Sequence, residues 1–399
     1  MKYNFDEIIE RRGTNSYKWD LMKEDGVIPM WVADMDFPTA PAIIEALQKR
    51  VAHGIFGYTL VPDSYYEAII NWFSRRHQWN IERDWILYTS GVVPALSCTL
   101  KAITMPGEKV LVQTPVYNCF FSSIKNNGCE VVENELRRVG NCTYEIDFED
   151  FERKCADEKT TAFILCNPHN PAGRVWKKEE LERMNDICMK HGVKVIADEI
   201  HCELVMPGYH YIPFASISEA CRDNSVTLNS PTKAFNIAGL QIANIICPDA
   251  ALRRRIDRAI NINEVCDVNP FGVIALQAAY NEGEEWLDEL NQYLWENYQA
   301  LKDFFTTELP QVRVTRLEGT YLVWLDILGI ELSSDEAYEQ LMQDGKVFVN
   351  SGTLYGRKAG QGFLRVNIAC PRKTLMQGLA RIGRVLSQYI EDEDTGCPM

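Results

Sequence analysis

The sequence predicts an α/β protein: a large domain on a mostly parallel seven-stranded sheet, followed by a smaller α+β domain. Three observations lead there. Short apolar runs alternate with helical patterns from about Trp85 to Cys247. After Glu282 the pattern changes to one long amphipathic stretch and a few spaced strands. Tyr117, Asn170, Asp198 and Lys233 each fall where a strand gives way to a loop or helix.

In chain order, residues 1–45 form an N-terminal segment assigned to the smaller domain, rich in aromatic residues such as Tyr17, Trp19 and Trp31. These aromatics either shape a pocket or pack onto the smaller lobe. Residues 46–282 form the large domain. Its strands are expected at Trp85–Thr89, Lys109–Gln113, Glu130–Glu133, Thr161–Cys166, Val193–Ala197, Val226–Asn229 and Gln241–Cys247. Helical spacing places helices at Val93–Ile103, Tyr117–Asn127, Lys178–His191 and Ala251–Ile262. Such alternation means a mostly parallel sheet with helices on both faces, and ligands gather at the carboxyl ends of its strands. Residues 283–399 form the rest of the smaller domain. It opens on Glu284–Leu309, with Trp286, Leu290, Tyr293, Leu294, Leu301 and Phe305 at helical spacing. Strands at Tyr321–Ile327, Lys346–Asn350 and Phe363–Ile368, a helix at Ser334–Asp344 and a closing helix after Pro371 follow. The acidic tail from Glu391 reads as a frayed end.

A chain of 399 residues can bury a sizeable core, and 46% hydrophobic with 24% charged residues is ordinary for a globular enzyme. A net charge of −15 argues against a nucleic-acid partner. Arg253-Arg254-Arg255 is the one basic cluster, and its amphipathic flanks read as a solvated helix face. Thirteen cysteines without CxxC pairs or metal-ligand spacing fit a reducing compartment. The basic-then-apolar order of a signal peptide is lacking at the N-terminus, and no apolar run approaches membrane-spanning length. The expectation is a cytoplasmic protein with no metal, membrane or nucleic-acid partner.

Lys233, in Asn229-Ser230-Pro231-Thr232-Lys233, follows a strand that reads as buried. That suits an amine for Schiff-base chemistry better than a solvated charge, although Ser-x-x-Lys also occurs in serine acyl-transferases. Asp198 ends the apolar strand Val193–Ala197, where a carboxylate destabilises unless a cation or donors meet it. Capping the next turn is its plainer role. Asn167-Pro-His-Asn170-Pro-Ala-Gly173 has two rigid Asn-Pro steps and can hold the Asn170 amide at the sheet edge. Ser90-Gly91-Val92 leads into a helix with Pro94 in its first turn; amides there bind phosphate, though most such junctions are only turns. Tyr117 is placed either to stack on a flat ring or to fill the core. Arg365, between Leu364 and Val366, offers a planar fork for a carboxylate, or lies on an exposed strand face.

Taken in order, these segments resemble the fold-type I aminotransferase superfamily of pyridoxal phosphate enzymes, over roughly Trp31 to Arg381. The branch of cystathionine β-lyases, also called C–S lyases, is closest in appearance. Its matching segments are Met30–Phe37, Phe56-Gly-Tyr58, Gly91–Ala95, Asn167–Gly173, Asp198-Glu-Ile-His201, Ser230–Leu240 and Arg365–Arg372. The resemblance implies that Lys233 bonds the cofactor aldehyde, Asp198 pairs with the ring nitrogen, Asn170 approaches the phenolic oxygen and Tyr117 stacks on the ring. It implies phosphate contacts from Gly91, Val92 and Ser230, and a cofactor contact from His201. Arg365, Asn170 and Asp34 would bind the substrate, and Tyr58 would reach the phosphate of a partner subunit in a homodimer with shared sites. Two departures from the transaminase pattern favour elimination. His201 stands three residues after Asp198 in place of a tyrosine, and Gln241 stands eight after Lys233 in place of an arginine.

The resulting expectation is β-elimination of a thiol from cystathionine, cystine or another cysteine conjugate, giving pyruvate and ammonia. Transamination is the alternative on the same cofactor and lysine. A serine acyl-transferase would need Ser-Asp-Asn and Lys-Thr-Gly elements that are missing, and a dinucleotide enzyme would need its Gly-x-Gly-x-x-Gly. A non-catalytic binding protein would not need the full set of cofactor contacts.

Overall fold

Seven short segments, each with Val, Ile or Leu among its residues, become the seven strands of one sheet: β1 (Ile86–Thr89), β2 (Lys109–Thr114), β3 (Glu130–Glu135), β4 (Thr160–Cys166), β5 (Lys194–Asp198), β6 (Ser225–Asn229) and β7 (Ala243–Ile246). They lie in a computed structural model that describes residues 1–140 and 142–390, so the expected frayed tail falls outside the described residues. The spatial order is β1-β7-β6-β5-β4-β2-β3. Every neighbouring pair is parallel except those of β7, which runs antiparallel to β1 and β6. Helices on both faces make such strands apolar on both sides, and every residue of β6 and β7 is buried. The helix Val92–Ile103 covers one face, turning Ala95, Leu96, Thr99 and Leu100 inward.

Each expected strand lies within about two residues of its observed place, the usual uncertainty at element ends. Of the helices not expected from periodicity, the three longest are Pro41–His53, Asp63–His77 and Pro270–Glu282. The last buries Val273, Ala275, Leu276, Ala278, Ala279 and Tyr280, so it is apolar nearly all round and shows no stripe. Pro41 starts the first of them, which runs unbroken through residue 45, so a division at 45/46 cuts a helix. The helix expected from Tyr117 begins instead at Cys119, with Tyr117 in the turn before it.

In the smaller domain, Leu322–Asp326 and Phe363–Asn367 pair antiparallel at the centre of a four-stranded sheet. The single strand expected at Lys346–Asn350 is two. Val347–Phe348 pairs in parallel with Ile28–Pro29, and Asn350–Ser351 pairs with Phe363–Asn367, because the chain changes partner at Val349. The helix from Ser334 ends at Gln340 and widens into a wider turn over Leu341–Gly345, before Lys346 at φ 49°. Arg253 is half-buried and donates to the carbonyls of Cys247 and Pro248, while Arg254 and Arg255 are exposed as expected.

Candidate active site

The carboxyl ends of β1, β2, β4, β5 and β6 converge on a cavity of about 550 Å³. Lys233, Asp198, Asn170, Tyr117, Gly91, Val92, His201 and Arg365 all line it. Eight of the eleven expected site residues are thus brought together by strand ends that lie far apart in sequence.

Asp198 is the last residue of β5, and its carboxylate accepts the Ile200 N–H at 3.2 Å. That bond supports the local turn, as a capping role would. It does not offset burial, which pushes the carboxyl up to about 7; the Ile200 amide and the Lys233 charge pull the other way. A cation inside the cavity would relieve that cost. Lys233 shows the converse. Burial pushes its amine down to about 8, against the pull of Asp34, Cys119 and Asp198, while Arg365 adds to the lowering. Its Nζ donates to the Ala33 carbonyl at 2.6 Å.

Asn170 is fixed by its loop. Gly173 holds φ +70°, where an added Cβ would come within 3.0 Å of the Arg316 carbonyl, so the turn needs glycine. His169 N–H donates to the Arg174 carbonyl at 2.7 Å and Asn167 N–H to the Asp198 carbonyl at 3.0 Å, tying the loop to β5. Asn170 Oδ1 accepts from Arg365 Nη1 at 3.2 Å, which leaves its amide N–H groups to donate into the cavity.

Arg365 is buried rather than on an exposed strand face, since both faces of Phe363–Asn367 are covered. Its Nη2 donates to the Trp31 carbonyl at 2.8 Å and to Asn350 Oδ1 at 2.9 Å, and the Tyr355 ring lies 4.7 Å beneath the guanidinium. Of five N–H donors, three are thereby used; Nε is buried without a partner. His201 has an equally unpartnered Nδ1. Burial, with Lys233 and Arg365 nearby, pushes its imidazole down to about 3, so it is neutral. Burial likewise raises the Tyr117 phenol, which stays protonated.

Three expected residues stand elsewhere. The Ser230 hydroxyl donates to the Ile242 carbonyl at 2.6 Å and accepts the Thr232 N–H at 3.1 Å, so Thr232 lines the cavity in its place. Asp34 borders an adjoining cavity of about 530 Å³ that shares Lys233. There it bonds Arg11 at 2.9 Å and lies 3.6 Å from the buried Lys18, which also bonds Asp36 at 2.9 Å. Tyr58 is 100% exposed, outside the cavity of its own chain. Of the aromatics expected either to shape a pocket or to pack onto the smaller lobe, Tyr17 and Trp31 line the cavity. Sequence reasoning assigned no role to Asn350, Tyr355, Cys119 or Thr232, although Thr232 lies within the segment Asn229–Lys233.

These residues suit pyridoxal phosphate. The cavity is lined by a carboxylate short of a cation, an amine depressed by burial, an aromatic ring, and an arginine and a neutral histidine that each keep a nitrogen without a partner. Gly91 and Val92 open the helix Val92–Ile103, whose first N–H groups have no partner within the helix. A Cβ added at Gly91 would meet only Pro94, at 3.4 Å, so the space beside it is open.

Comparison with known proteins agrees. The family described as aminotransferase class I and II matches residues 25–382. Cystathionine beta-lyase PatB of Bacillus subtilis is 44% identical over 388 residues, covering 96% of this chain and 100% of that one. Protein MalY of Escherichia coli is 33% identical over 384 residues, covering 95% and 97%. The crystal structure of cystalysin from Treponema denticola, which contains pyridoxal 5′-phosphate, superposes with a TM-score of 0.94 at 36% identity, covering 97% and 100%.

Proposed function

Because the chain belongs to the class I and II aminotransferase family, and within it to the cystathionine β-lyase branch, we propose that it eliminates thiols from cysteine conjugates. It is a pyridoxal phosphate enzyme of fold type I, a carbon–sulfur lyase acting on L-cystathionine, cystine or related conjugates to give pyruvate and ammonia. One observation carries the assignment of the site: a buried amine, Lys233, and a buried carboxylate, Asp198, line one cavity with a partly unsatisfied arginine, Arg365.

The bound cofactor supplies an aldehyde for the amine and an electron-poor ring that stabilises negative charge at the substrate's Cα. Lys233 would hold that cofactor and, once released from it, take the Cα proton as general base. Depression to about 8 leaves a useful neutral fraction of this amine near neutral pH. Asp198 would supply the anion that keeps a ring nitrogen protonated. Asn170 would donate its amide toward the phenolic oxygen and Tyr117 would offer its ring as a stacking face, all three bordering the cavity. Gly91 and Val92 offer backbone N–H groups to the phosphate, with Ser230 behind Thr232 on the same side. Neutral His201 adds a donor or acceptor without adding charge. Arg365 clamps the substrate carboxylate with its two unused N–H groups, and Asn170 and Asn350 hold the guanidinium in place. Asp34 acts through the strap of residues 31–37, which Arg11 and Lys18 anchor beside Lys233.

We further propose a homodimer with shared sites. Its support is the loop that carries Tyr58, where Ile55, Phe56 and Leu60 are also exposed, a grouping a partner surface would cover. A cytoplasmic location fits the twelve described cysteines, all of which are free. Among the described residues, no helix is long and apolar enough to cross a membrane.

Cystathionine and cystine assayed with the cofactor-loaded protein test the reading. Stoichiometric pyruvate is expected. Conversion of the cofactor to its amine form without pyruvate would replace elimination by transamination.

A further inference from the structure

Cys119 is a nucleophile in the cavity that the elimination does not use. Its half-buried thiol shares the cavity with Lys233 and Arg365 and faces the Tyr117 hydroxyl. Among the twelve described cysteines only Cys119, Cys142 and Cys266 escape full burial, and of these Cys119 alone lines the cavity. Cys166 borders it too, but burial and the Asp198 charge push that thiol up, and its sulfur accepts the Asn170 N–H at 3.4 Å. A nucleophilic thiol needs partial access, which Cys119 has and the fully buried Cys166 lacks. His201 and Arg365, each 4% exposed, line the same cavity, and His201 Nδ1 and Arg365 Nε are buried without a partner.

The inference rests on the carbon–sulfur elimination proposed above. We propose that, when the substrate is a disulfide amino acid such as cystine, Cys119 takes up the outer sulfur of the persulfide set free in the cavity. Elimination breaks the Cβ–S bond and releases R–S–S⁻, where R is the other half of the substrate. The Cys119 thiol gives this anion its proton, forming R–S–SH and a Cys119 thiolate. The thiolate attacks the terminal sulfur; a new S–S bond forms at Cys119 as the bond from that sulfur to R–S breaks. The products are Cys119–S–SH and R–S⁻, so charge and atoms balance without an outside oxidant or reductant. The chain would then transfer sulfur as well as cleave its substrate. A thioether such as cystathionine releases a plain thiol and leaves Cys119 unchanged.

The cofactor-loaded full chain is turned over with cystine or with cystathionine, without reductant, and then alkylated. Pyruvate is measured beside the mass of the peptide that carries Cys119. The expected result is a gain of one sulfur atom on that peptide with cystine and none with cystathionine. In Cys119→Ser, the ratio of protein-bound sulfane sulfur to pyruvate drops to background, whatever the variant's rate. Pyruvate from cystine with an unmodified Cys119, or with a cysteinyl adduct in place of the extra sulfur, overturns the inference and leaves the lyase standing. Absence of pyruvate from cystine alone also overturns it, and absence from both substrates overturns the lyase as well.

Discussion

Replacing Asp198 by asparagine in the cofactor-free protein isolates the cost of keeping a carboxylate at the end of β5. Burial lifts this carboxyl to about 7, whereas an unfolded aspartate titrates near 3.9. The native state therefore binds the proton more tightly than the unfolded chain does. Stability falls as pH rises from the unfolded value, and the fall levels off above about 7. Linkage between those two values gives a wild-type loss of about 2.5 kcal/mol between roughly pH 5 and pH 8. Asparagine does not titrate. The stability gap between Asp198→Asn and wild type should widen by that amount in favour of the variant over the same interval. Glu199, which burial pushes up to about 8, is present in both proteins and cancels except for the small part that the Asp198 charge adds; the variant loses that part, which widens the gap in the same direction. Denaturant unfolding of both proteins at the two pH values measures the gap. Saturating pyridoxal phosphate should shrink it, since a protonated ring nitrogen would pair with the carboxylate. A gap that is constant with pH, or that moves the other way, refutes the argument that Asp198 is an unpaired buried acid.

Other expectations follow from the same cavity. Arg365→Lys keeps the charge but loses the planar fork, so KM for cystathionine should rise about tenfold or more, the loss of one charge-assisted contact, with a smaller change in kcat. Equal KM values would remove Arg365 from the substrate site. Gly91→Val places a side chain in open cavity space beside the helix start; cofactor titration should show weaker binding while thermal stability changes little. Tyr58→Phe should lower cofactor retention on dialysis without altering the fold by circular dichroism, and unaltered retention would count against a shared-site dimer.

Much of the fold was legible because parallel strands covered on both faces must be apolar over most of their length, as Val110–Val112, Ala162–Cys166 and Val195–Ala197 are. Pro270–Glu282 was not legible for the same physical reason: a helix buried on all sides has no stripe to betray its period. The site was readable where chemistry sits at a strand end, as with Asp198 after Lys194–Ala197 and Lys233 after Ser225–Asn229. It was unreadable where tertiary contact decides. Asn350 meets Arg365 only because Asn350–Ser351 pairs with Phe363–Asn367. Ser230 and Thr232 exchange places at the cavity wall because the Ile242 carbonyl takes the serine hydroxyl. Cys119 stood in a helical run where nothing separated it from a packing residue.

Reduction of the cofactor-loaded protein with borohydride, followed by peptide mapping, tests the central claim most directly. A pyridoxyl group on Lys233 is the expected result, and it should be absent from Lys233→Ala. Its recovery on another lysine, or a protein that takes up no pyridoxal phosphate, would contradict the account.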